Sequence, residues 1–238
     1  MNNISKIHYP TDRNILIKLY KKTNNKDINW YIIRNDENIE TWKSSEKITT
    51  NKSILYTIYH NIDKPQNSYI VFHIEKRYYY KNKLKSETKL IRTINEPYLI
   101  IFLLKKAIQN SGKKIVNYIN CIIQNPNDNN KILLIKHDKI SNWVLPGSFS
   151  SNLNSDIKLK CNKIGIIPEQ LNRMKYKNII KYDNIYYYIT LMDIVDYNGY
   201  ININYSMWFD ISLVNNYSFL GKETKRIINY YLNNSLPF

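Results

Sequence analysis

Glycine is nearly missing from this chain: 238 residues contain 5 of them. A phosphate-cradling loop needs several glycines within a short span, so neither a P-loop nor a dinucleotide fingerprint can be built. Alanine is scarcer still, and cysteine occurs twice, at Cys121 and Cys161. Two thiols so far apart give no zinc spacing and no disulfide framework, and both read as ordinary thiols in a reducing compartment. The four histidines, His8, His60, His73 and His137, are scattered. No two are four residues apart on one helical face, and no Ser/His/Asp constellation stands out. His73 lies in an apolar run and reads as a packed side chain, whereas His137 reads as a solvated turn residue, with a place facing an active-site pocket as the alternative. The longest apolar run is YLIIFLL at residues 98–104. It falls far short of the roughly 20 residues that a helical span requires. Residues 1–22 have neither the apolar stretch of a signal peptide nor the Arg/Ser-rich character of a presequence, so secretion is not expected.

What the chain does have is positive charge. Its 35 Lys+Arg against 19 Asp+Glu leave +16, with a sequence pI near 9.6. Such a balance favours nucleic acid or another polyanion. The residues in excess, Lys, Asn, Ile and Tyr, share A/T-rich codons, so part of the lysine surplus is a matter of genome composition. Organellar, viral and parasite genomes have this bias. The localisation expected is mitochondrial or otherwise organellar, with the cytoplasm as the alternative.

The first 95 residues read as mainly strand. Short β-branched and aromatic runs at 15–20, 30–33, 53–59 and 69–75 alternate with Asn/Asp/Lys clusters, which suggests an antiparallel sheet or small barrel. A connecting helix over 96–112 follows, with Pro97 in its first turn and Gly112 placed for a left-handed cap. Residues 113–238 make up a second domain. There, Asn-Pro-Asn-Asp-Asn-Asn130 is a hairpin turn between strands at 116–124 and 131–136. An aromatic strand at 185–193, a strand around Trp208 and Phe209, and a last helix over 220–232 complete it. In that helix Ile227, Ile228, Tyr231 and Leu232 recur on one face.

Residues 131–147, KILLIKHDKISNWVLPG, run from a buried strand into Trp143, Leu145, Pro146 and Gly147, and Ile164-Gly165-Ile166 follows 18 residues after Gly147. This passage resembles the core of the Nudix family, in which a strand passes through Trp-x-Leu-Pro-Gly into a loop and a metal-binding helix. The resemblance covers about residues 115–235. It implies a fold that is α+β overall: a C-terminal α/β/α sandwich with a mixed sheet, preceded by the mainly β region. It also implies structural roles for Trp143, Leu145 and Pro146, which close the strand, and for Trp208 and Phe209, which anchor the final strand.

The family's glutamates are missing. Counted back from Gly165, the family's Arg-Glu-apolar-x-Glu-Glu stretch, whose glutamates bind magnesium, falls on Lys158, Leu159, Lys160, Cys161, Asn162 and Lys163, none of them a carboxylate. Magnesium needs hard oxygen ligands, usually carboxylates, and three lysines repel it. Asp156 and Glu169 are the acids nearest to this box. The resemblance therefore implies a degenerate box (Gly147, Lys158, Lys160, Lys163, Gly165), no catalytic residues, no metal and no cofactor. Within the family, the Nudix-like proteins of mitochondrial large ribosomal subunits are most similar in kind.

Residues 73–89 interleave tyrosines with cations. Lys76, Arg77, Tyr79, Lys81 and Lys83 are the candidate RNA contacts, with Tyr78 and Tyr80 beside them. Cations neutralise phosphates while tyrosines stack on unpaired bases, and both terms tolerate any sequence. An edge-exposed hairpin with no partner would look the same. The expected partners are RNA, ribosomal RNA first, and the neighbouring proteins of a ribonucleoprotein; no membrane and no small-molecule substrate are expected. A divergent viral mRNA-decapping hydrolase and a protein-binding scaffold are the alternatives.

Overall fold

A computed structural model describes residues 11–36, 38–136, 142–149, 167–182, 184–198 and 206–235. The chain divides into two compact units, residues 1–115 and 116–238. Its class is α+β.

The first unit opens with a helix, α1 (Asp12–Asn24), where the sequence suggested a strand at 15–20. The capping chemistry explains the correction. The Asn14 amide donates to the Thr11 hydroxyl at 3.3 Å, Asp12 sits in the first turn, and lysines occupy the last. Such an N-cap stabilises a helix by about 1 kcal/mol, and the end charges favour it further. Leu16, Leu19 and Thr23 then share one buried face, a helical spacing that the β-branched composition concealed.

Five strands follow, β1 (Tyr31–Asn35), β2 (Ile39–Thr49), β3 (Lys52–Asn61), β4 (Tyr69–Tyr80) and β5 (Lys83–Ile94). They form one sheet in sequence order, each pair antiparallel, so the expected antiparallel sheet is present and no barrel closes among the described residues. Trp42, Ile58, Ile70 and Ile94 lie on one sheet face and are fully buried. Helix α2 (Pro97–Asn110) buries Ile100, Ile101, Leu103, Leu104, Ala107 and Ile108. It begins at Pro97 and ends where Gly112 takes φ +74°. The two helices meet through Tyr20 and Phe102, stacked with centroids 4.8 Å apart, and the Asn110 amide donates to the Thr23 carbonyl.

In the second unit the strands are β6 (Ile115–Asn125), β7 (Asp128–Lys136), β8 (Trp143–Val144), β9 (Gly147–Phe149), β10 (Ile167–Tyr182), β11 (Ile185–Asn198) and β12 (Ser206–Asp210). The sheet order is β10-β11-β6-β7-β12, with β8 on β7 and β9 on β6. Helix α3 (Lys222–Ser235) supplies Ile227, Ile228 and Tyr231 to a core that includes Ile122, Leu134, Leu145, Leu191 and Phe209.

Candidate nucleic-acid interface

The segment at 73–89 is the β4–β5 hairpin. Its turn, Lys81 (φ 49°) and Asn82 (φ 57°), has two consecutive left-handed residues, the conformation of a tight two-residue hairpin. Direct pairing of Tyr80 with Lys83, Tyr78 with Lys85 and Lys76 with Glu87 puts these six on one face. Arg77, Tyr79, Leu84 and Ser86 take the other. Every residue from Lys76 to Thr93 is exposed, with Tyr79 at 77% the most open tyrosine among the described residues. The arm is also sparsely neutralised. Residues 75–89 hold six cations against Glu75 and Glu87, of which Glu75 pairs with Arg77 at 3.0 Å. Glu87 accepts a hydrogen bond from the Tyr78 hydroxyl at 2.9 Å, and that bond raises the phenol's pKa. The Lys85 ammonium stands 4.7 Å from the Tyr80 ring centroid and that of Lys81 5.5 Å. Cations beside open tyrosine faces can hold a phosphate and a stacked base together. His73 is half-buried lower in β4.

In the second unit, Trp-Val-Leu-Pro-Gly joins the sheet to the last helix. Ile135 pairs with Val144 and Lys136 with Trp143. The Trp143 amide donates to the Phe219 carbonyl at 3.0 Å, and the Gly221 amide donates back to the Trp143 carbonyl at 3.4 Å. Leu145 is fully buried, and the Pro146 carbonyl accepts from the Cys121 amide at 2.7 Å. At Gly147 a side chain has no room: a Cβ would stand 2.8 Å from the Ile119 carbonyl and 2.9 Å from the Tyr118 ring. Of the final-strand pair, Phe209 is buried, edge-on to Tyr217 and Phe219, whereas Trp208 is only half-buried. Lys158, Lys160, Lys163, Gly165, Asp156, Cys161 and His137 lie outside the described residues. Among the described residues, no group of three or more His, Cys, Asp or Glu could hold a metal ion.

Sequence reasoning missed a cavity of about 340 Å³ in this unit, walled by Tyr118, Phe149 and Tyr187 and edged by Asn120, Glu223 and Thr224. Tyr118 meets Phe149 edge-on at 5.2 Å. Glu223 accepts from the Tyr176 hydroxyl at 2.8 Å and pairs with Arg226 at 3.1 Å. Burial raises its pKa, only partly opposed by hydrogen bonds from Tyr176 and Asn178 and by the charge of Lys222. Burial also drives the Tyr176 phenol well above its ordinary value, reinforced by the neighbouring Glu223. An aromatic slot edged by an amide and a carboxylate can hold a planar, N–H-bearing group. The available clue was an asparagine, Asn120, within the apolar run YINCII.

No family model matches the sequence, and no curated protein does. Solved structures do match. The E. coli ORF135 protein is 13% identical, covering 53% of this chain and 96% of its own, with a TM-score of 0.43. A MutT protein from Methanosarcina mazei Go1 is 11% identical over 52% of this chain and 98% of its own, TM-score 0.42. A NUDIX hydrolase from Nitrosomonas europaea is 12% identical over 52% and 97%, TM-score 0.36.

Proposed function

We propose that this chain is a non-catalytic, Nudix-like protein that binds RNA as a structural component of a ribonucleoprotein such as a mitochondrial ribosome. The observation that carries the reading is the β4–β5 arm, where tyrosines and cations stand open on both faces instead of packing. A hairpin with no partner gains nothing from exposing Tyr78, Tyr79 and Tyr80 together, whereas stacking on unpaired bases contributes about 1–3 kcal/mol per base. The Nudix-like part rests on the tie between β8 and α3 and on the glycine required at Gly147. The non-catalytic part rests on donor chemistry: Lys158, Lys160 and Lys163 do not fit magnesium. An organellar location, with the cytoplasm as alternative, rests on composition.

Two measurements test this. Purified protein with magnesium or manganese should release no product from capped RNA, dinucleoside polyphosphates or nucleoside diphosphate sugars; metal-dependent turnover lost in Asp156→Ala or Glu169→Ala would overturn the non-catalytic reading. The native protein should co-sediment with ribosomal particles in an RNase-sensitive manner. A protein-binding scaffold is the second reading, favoured by the outer edge of β5, where Leu84, Leu90 and Ile91 are exposed. Sedimentation with an RNA-free assembly would favour it.

A further inference from the structure

A second cavity, of about 600 Å³, lies within the first unit between α1 and the sheet. Leu19, Ile54, Tyr56 and Phe72 line it, Glu46 is among its walls, and Lys18, Lys22 and Arg92 supply its cations. The register explains this placement. Glu46 pairs with Ile54 across β2–β3, Tyr56 with Phe72 across β3–β4, and Phe72 with Arg92 across β4–β5, so all five side chains share the sheet face beneath α1. On α1, residues 15, 18, 19 and 22 recur at helical spacing along the stripe above them. Apolar walls with a few polar groups are the ordinary make-up of a ligand site.

The polar groups narrow the ligand. Glu46 accepts from the Tyr56 hydroxyl at 2.5 Å and from the Lys22 ammonium. A carboxylate offers about four lone-pair sites, so acceptor capacity remains on both oxygens. Desolvation pushes the Glu46 pKa up, but hydrogen bonds from Lys22 and Tyr56 outweigh it and hold the group below its ordinary value. Glu46 is therefore an ionised, acceptor-only group near neutrality. Arg92 pairs with Asp12 at 3.0 Å, while Lys18 is exposed and has no ion-pair partner among the described residues. A cavity that keeps a carboxylate repels an anionic headgroup driven inside it. It suits a flat apolar body with adjacent N–H donors at one edge and an anion left outside, at the cations.

We propose that this cavity takes one unpaired guanine of an RNA strand, its N1–H and N2–H donating to Glu46 and its phosphate resting against Lys18 and Arg92. Guanine alone among the four bases presents two adjacent donors on its Watson–Crick edge that match the two oxygens of a carboxylate. Adenine and cytosine place a ring acceptor beside their amino group, and uracil flanks its single N–H with carbonyls. The inference rests on the RNA-binding reading and adds a base preference to it.

The test is fluorescence anisotropy of the full chain with short labelled uridine tracts that carry one central guanine or one central adenine. The guanine tract should bind about tenfold more tightly, the discrimination typical of one bidentate base contact. Glu46→Gln should remove the preference, Lys18→Ala should weaken both tracts alike, and Ile91→Trp, at a half-exposed wall position, should fill the cavity and remove the preference with the fold retained. Arg77→Ala on the arm should lower affinity for both tracts and leave their ratio unchanged. Equal binding of the two tracts, or a preference that survives both Glu46→Gln and Ile91→Trp, would overturn the guanine site and leave the arm reading standing. Failure to bind any tract would overturn both.

Discussion

In the first unit three consecutive tyrosines, Tyr78, Tyr79 and Tyr80, stand open on a two-stranded arm. In the second, Tyr176, Tyr186, Tyr188 and Tyr231 are all 5% exposed or less. The residue type is the same, supplied by the same biased composition, and the outcomes are opposite. Cover decides the difference. Helix α3 packs its Ile227, Ile228 and Tyr231 into a core that also takes Tyr176, Ile189 and Leu191 from β10 and β11. On β4 and β5 every residue from Lys76 to Thr93 is exposed, and beyond Arg77, where the bonds to the β3 side end, the two strands continue alone as an arm. Tyrosine accepts both fates because its ring gains from burial and its hydroxyl stays soluble. Composition alone therefore cannot assign a tyrosine to core or to interface.

The sharpest way to break this comparison is to cut an aromatic from the covered side. Phe209→Ala removes a ring that is 3% exposed and edge-on to Tyr217 and Phe219, and should cost the second unit about 3–5 kcal/mol in denaturant unfolding. Trp208→Ala, its half-buried neighbour, should cost clearly less. Equal losses would mean that the burial contrast within β12 does not govern stability.

The open side should respond in binding and leave stability alone. Tyr79→Ala should weaken binding to unpaired RNA by about 1–3 kcal/mol, with the melting temperature unchanged. A fall in melting temperature would place Tyr79 among packed residues and remove it from the interface. A finer separation comes from salt: replacing Arg77 and Lys81 with Ala should reduce the slope of log affinity against log salt by about one unit per lost phosphate contact. Arg77 carries the smaller expectation, because Glu75 already pairs with it. A salt titration identical for mutant and wild type would take the arm out of RNA binding.

How legible was this in the sequence? The antiparallel sheet, the helix bounded by Pro97 and Gly112, the 125–128 turn and the final helix were all readable, because periodicity and turn residues mark them. Helix α1 was not, since Ile15, Leu16, Ile17, Leu19 and Tyr20 fit a strand run equally well, and only the Thr11 cap with the lysine-rich end separates the two. Strand β5 does not stand out from the basic segment in sequence: eleven of its twelve residues are exposed, so no inside-outside alternation marks it. Neither cavity was legible. Glu46 and Glu223 look like solvated acids in sequence, and their settings arise from partners far along the chain, Lys22 for one and Tyr176 for the other.

Those two glutamates give the comparison its smallest and most specific test, because the fold moves them in opposite directions. In Glu46, hydrogen bonds from Lys22 and Tyr56 overcome desolvation and the folded pKa is lowered, so ionisation favours the fold. Its contribution is fully present above the unfolded carboxyl value of about 4.3 and is lost as pH falls through the folded pKa. In Glu223, desolvation wins and the folded pKa is raised, so the proton favours the fold. Its contribution is present below that unfolded value and is lost as pH rises through the folded pKa. Residue-resolved hydrogen exchange from about pH 3 to 7 should therefore show the first unit weakening toward acid and the second weakening away from it, over adjoining windows. Glu46→Gln should flatten the first trend and Glu223→Gln the second, each leaving the other unit's profile unchanged. The Glu223 change is the more revealing, since glutamine can still accept from Tyr176 while the Arg226 pair is lost. A wild-type second unit that instead weakened toward acid, with that weakening lost in Glu223→Gln, would show that the Arg226 pair, and not burial, sets the balance at Glu223.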